Sequence, residues 1–110
     1  MTITDIEKKP EFYSIAGLLI SLRTVYDGML RIGVDFLADD PGHEPDIRIV
    51  ITQRDIDEER LRSPDGGAGS SDRYIETLAV CRRISEIMPS FDRFLMHGSA
   101  VAVDGEGYLF

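Results

Sequence analysis

Apolar and polar positions divide the chain into a small number of elements. Residues 12–23 carry a nearly unbroken apolar run, Ile15, Ala16, Gly17, Leu18, Leu19, Ile20 and Leu22, closed by Arg23. The run is long for one strand and short for a buried helix, and it predicts a strand with Gly17 as a bulge or point of close backbone approach. Tyr26-Asp27-Gly28 is a turn signal. Ile32, Val34, Phe36 and Leu37 predict a second strand over 30–38, and the Pro- and acid-rich stretch 39–45 predicts a loop. From 46 to 52 the alternation is cleanest, with Ile47, Ile49 and Ile51 on one side of a strand.

Thr52 followed by Asp55 has capping-box spacing and predicts a short, very polar helix over 53–62, packing through Ile56 and Leu61. Ser63 to Ser71 is rich in Gly and Ser and reads as a flexible loop, with a hinge between two lobes as the competing reading. Asp72 is the expected cap of a second helix over 73–88. Its apolar stripe is Ile75, Leu78, Ala79, Ile84, Ile87 and Met88, with Glu76, Arg82, Arg83 and Glu86 on the outer face and Pro89 as the stop. Phe94 to Val103 predicts a strand, Asp104-Gly105 a hairpin turn, and 107–110 a return strand. Met1 to Glu11 is a polar lead-in, where Thr4 and Glu7 have capping spacing but Pro10 leaves little room for a helix. The predicted class is α+β, or mixed α/β: several strands, one short polar helix, one amphipathic helix and a C-terminal hairpin.

Composition narrows the function classes. The chain has 110 residues, 43% hydrophobic and 29% charged, which is ordinary for one globular domain. A formal net charge of −8 repels nucleic-acid and membrane phosphates, so neither is an expected partner. Arg82 and Arg83 read as part of a solvated helix face. Cys81 is the sole cysteine, which excludes an intrachain disulfide, and its apolar helical context reads as a small buried hydrophobe. The lead-in lacks the apolar core of a signal peptide and no run is long enough for a membrane helix, as expected of a cytoplasmic protein.

Candidate chemistry is sparse. The chain has no Gly-x-x-x-x-Gly-Lys loop, and Gly66, Gly67 and Gly69 have neither a strand before them nor a Lys after them. His43 and His97 are far apart and have no identifiable carboxylate partners for a metal. On a strand, Leu95, His97, Ser99, Val101 and Val103 share one face, so His97 and Ser99 can point into one cleft. From the residues alone, a hydrogen-bonded structural histidine is the plainer reading of His97.

The segment His97-Gly98-Ser99-Ala100-Val101-Ala102-Val103-Asp104-Gly105-Glu106-Gly107-Tyr108-Leu109-Phe110 resembles the hairpin that precedes the phosphate-binding loop in the HPr-kinase-like family. That family shares a core with ATP-dependent phosphoenolpyruvate carboxykinases. Residues 74–84 are similar to the helix these proteins place before the hairpin, so the likeness covers about the last third of the chain. Upstream, the likeness is limited to an opening strand and the Pro-Asp-Ile-x-Ile pattern at Pro45 to Ile49.

The resemblance implies an N-terminal domain or lobe of a kinase or other phosphotransferase that uses ATP and Mg. It places His97 and Ser99 beside the phosphate site of the longer protein. The sequence departs from the family by stopping at Phe110, where the Gly-rich loop is expected, so these 110 residues hold no catalytic residue and bind no cofactor on this reading. The expected partners are the remainder of the parent chain and, through Gly107, Tyr108, Leu109 and Phe110, a second copy. The alternative is a complete small acidic protein-binding module without enzymatic activity.

Overall fold

The computed structural model describes residues 9–29, 33–94 and 100–109. Its first element is a hairpin where the sequence predicts a single strand. Strand β1 (Glu11–Ile15) pairs antiparallel with β2 (Leu18–Arg23), and Ile15 lies opposite Leu18. The link is Ala16-Gly17, both left-handed at φ 53° and 79°, as a tight primed turn requires. Gly17 is therefore a turn residue and not a bulge. The turn escapes sequence reading because Ala at its first position is as apolar as the strands around it.

Of the predicted strand over 30–38, residues 30–32 lie outside the described residues, and within 33–38 only β3 (Leu37–Ala38) is extended, preceded by a 3₁₀ turn at Val34–Phe36. Strand β4 (Ile47–Val50) pairs in parallel with β2, giving a four-stranded sheet in the order β3-β1-β2-β4. Asp46 seats β4: its N–H donates to the Leu19 carbonyl at 2.9 Å, and its carboxylate accepts the Leu19 N–H at 2.8 Å. The period-two pattern holds, with Ile47 and Ile49 buried and Arg48 and Val50 exposed.

Helix α1 (Gln53–Arg62) starts on the expected capping box. The Thr52 hydroxyl accepts the Asp55 N–H, and the Asp55 carboxylate accepts the Thr52 N–H at 2.8 Å. Ile56 is fully buried, whereas Leu61 is 83% exposed and does not pack as expected. The helix buries Glu59 instead. Helix α2 (Asp72–Ile87) is capped by Ser71, whose hydroxyl accepts the Tyr74 N–H at 3.1 Å. Asp72 sits one residue inside, where its charge favours the helix N-terminus. Pro89 ends α2 through a 3₁₀ turn, Met88–Phe91.

One core joins the sheet to both helices: Tyr13, Leu18, Ile20 and Leu22 from the hairpin, Ile47, Ile49 and Ile51, Ile56, and Ile75, Ala79, Val80, Ile84 and Met88. Strands β5 (Ala100–Val103) and β6 (Glu106–Leu109) form a separate two-stranded sheet. They turn at Asp104-Gly105, both left-handed, as the Asp-Gly signal predicts. The fold is α+β. Among the described residues, no helix is long and apolar enough to cross a membrane.

Candidate functional site

The polar groups that the fold gathers lie around the two helices. Glu76 is the most constrained of them. It is fully buried although sequence reading places it on the outer face of α2. One carboxylate oxygen accepts the N–H groups of Val25 and Tyr26, each at 2.8 Å, and the other accepts the Gly28 N–H at 2.9 Å. The loop after β2 thus wraps its main-chain donors around an internal anion, the arrangement that makes a buried carboxylate tolerable. Gly28 is required by close approach: a Cβ there would lie 2.4 Å from the Arg73 carbonyl oxygen. The signal for Glu76 was present in the spacing, since Glu76, Val80 and Ile84 recur at four-residue intervals on one face.

Tyr26 extends this loop outward. Its hydroxyl lies 2.7 Å from Gln53 Oε1 and 3.3 Å from Asp72 Oδ2. Partial desolvation, and then the Asp72 carboxylate, raise its pKa above the ordinary phenol value. Asp72 also pairs with Arg60 at 2.5 Å. The Arg60 guanidinium donates to the Gly67 and Ser70 carbonyls as well, tying α1 to the 63–71 segment.

The seam between α1 and α2 holds a hollow of about 140 Å³ lined largely by charged side chains. Arg82 meets Glu59 in a two-point contact, Nε to Oε1 at 2.6 Å and Nη2 to Oε2 at 3.0 Å. The bond to Glu59 raises the Arg82 pKa further. Arg83 reaches Asp55 at 3.4 Å. These arginines are therefore interhelical partners and not a free solvated face. Their charges are neutralised in pairs, which suits holding two helices together.

The described hydroxyls that meet carboxylates have structural places: Thr52 with Asp55 at 2.9 Å caps α1, and Tyr26 with Asp72 at 3.3 Å ties the loop after β2 to α2. Cys81 is half-buried, and burial raises its thiol pKa, the opposite of the shift that activates a thiolate nucleophile. Among the described residues no group of three or more His, Cys, Asp or Glu side chains is arranged to hold a metal. His97 and Ser99 lie outside the described residues, as does Phe110. The hairpin that carries the family resemblance is described from Ala100 to Leu109. No family model, curated protein or solved structure matches the chain.

Proposed function

We propose that this chain is the N-terminal, non-catalytic part of a cytoplasmic, ATP- and Mg-dependent phosphotransferase of the HPr-kinase-like type. The observation that supports this reading is the β5–β6 hairpin. Its Asp104-Gly105 turn sets Val103 opposite Glu106 and Ala100 opposite Leu109, in a sheet of its own. A two-stranded sheet is marginal in water, and strands of this small-residue and apolar character suit incorporation into a larger sheet. In the family resembled, such a hairpin leads into the Gly-rich loop.

The nucleotide phosphates and Mg would be held by that loop, whose amides, Lys and hydroxyl supply the electrostatic stabilisation of phosphoryl transfer. The described residues of this chain supply support: the Glu76 clamp, the paired α1–α2 seam and the sheet beneath them. His97 and Ser99 are the proposed neighbours of the phosphate site.

Reading the codons that follow Phe110 tests the proposal. A Gly-x-x-x-x-Gly-Lys-Ser/Thr loop in frame is the expected result, and the longer protein then binds ATP while the 110-residue chain does not. A stop codon, or polar sequence without that loop, overturns it.

A further inference from the structure

Among the described residues, no strand pairs with the outer edge of β3. β3 pairs with β1 over only two rungs, Phe12 opposite Ala38 and Tyr13 opposite Leu37. Continuing that register sets Glu11 opposite Asp39, and like charges facing across a strand pair are unfavourable. The segments stop pairing there and border a groove of about 690 Å³. Pro10, Phe12 and Leu37 give it apolar walls, Glu11, Asp39 and Asp40 give it carboxylates, and Lys9 is the single base in its lining.

Beside the groove, Val34, Phe36 and Leu37 are 58%, 48% and 44% exposed. Single exposed apolar residues are common, but three large ones within four consecutive positions make a contiguous patch of the kind that marks an interaction surface. None of the ion pairs among the described residues engages Glu11, Asp39 or Asp40. β3 is an edge strand among the described residues, so one of its two residues directs its N–H and C=O outward, where an added strand can begin to pair.

We propose that the β3 edge and its groove dock an extended segment of a partner protein in which Lys or Arg alternates with apolar residues. Strand addition supplies main-chain hydrogen bonds and alternate side chains supply specificity. The β1–β3 register puts Glu11, Leu37 and Asp39 on one face of the sheet and Phe12 on the other, so the basic residues of the added strand meet Glu11 and Asp39, their methylene stems cover Leu37, and the apolar residues between them cover Phe12. The net charge of −8 adds long-range attraction for such a segment. The surface and its partner do not depend on the phosphotransferase reading.

The test titrates a fluorescent peptide of alternating Lys and Val, and its Glu–Val counterpart, against the full chain. The Lys–Val peptide should bind and the Glu–Val peptide should not. Charge reversal by Asp39→Lys with Asp40→Lys should weaken binding by about tenfold or more, against less than about twofold for Glu58→Lys with Glu86→Lys at the same net charge. Leu37→Ser should weaken binding without any change in charge. In the unsubstituted chain, peptide-induced NMR amide shifts should concentrate at 9–12 and 34–40, a readout that needs no variant to fold. Failure of the Lys–Val peptide to bind, equal weakening by both double variants, or shifts centred elsewhere overturns the proposal. So does a dimer of the chain that Leu37→Ser abolishes, because a second copy is then the occupant.

Discussion

Glu76 offers two carboxylate oxygens to three main-chain donors in a site with no solvent exposure. Removing the carboxylate leaves those donors unsatisfied, so Glu76→Ala should cost about 3 kcal/mol in urea unfolding. The 24–28 loop should also become the first site of limited proteolysis in that variant. Gly28→Ala, which drives a Cβ toward the Arg73 carbonyl, should cost about 2 kcal/mol. Tyr13 reports on pH. Burial first, and then the carboxylates of Glu11 and Asp27, push its phenol from 10.0 up to about 12. Between those values the unfolded chain gives up a proton that the folded chain keeps. This contribution to stability is therefore complete below pH 10.0 and is lost as pH rises through about 12. Tyr13→Phe should flatten that part of the stability-versus-pH curve, read by denaturant midpoints across the alkaline range.

At the scale of elements, α1 is too polar to be held by its apolar face, since Ile56 is its only buried apolar side chain. Its capping box and the contacts of Glu59 and Asp55 with α2 do the holding. Thr52→Ala should cost about 1 kcal/mol through the lost cap. Arg82→Ala leaves the buried Glu59 carboxylate without its partner. Because Arg82 is itself 44% exposed, water can partly replace it, and the variant should unfold at a lower urea concentration than the unsubstituted chain. Adding Glu59→Leu to Arg82→Ala should restore much of that loss. A double variant no more stable than Arg82→Ala alone would show that the seam acts through packing. Both helices and the Thr52 box were legible in the sequence. The buried roles of Glu59 and Glu76 were not, because a charged residue on an apolar stripe has no visible partner until the fold supplies one, and those partners lie 23 and about 50 residues away.

For the molecule as a whole, the proposals assign two distinct surfaces, the hairpin to self-association and the β3 edge to a partner. The apolar strand β6 should drive association of the 110-residue chain with itself. Sedimentation at tens of micromolar is expected to show a concentration-dependent mass that Leu109→Lys reduces. Leu37→Ser should leave that association unchanged, which separates hairpin pairing from partner docking at β3. A monomer at every concentration would remove self-association from the description of this chain.

Local chemistry was legible without coordinates: the Ile47-Ile49-Ile51 alternation, the Thr52–Asp55 box, the α2 stripe and the Asp104-Gly105 turn each act over a few residues. The α+β class followed from their order. Tertiary structure decided what depends on distant pairing. It split residues 11–23 into two strands because each half could then bury one face, with Tyr13 and Ile15 from the first and Leu18, Ile20 and Leu22 from the second. It turned Glu76 inward because a loop some fifty residues earlier had donors to satisfy. It also ended β3 after two rungs, at the position where two carboxylates would next have faced each other.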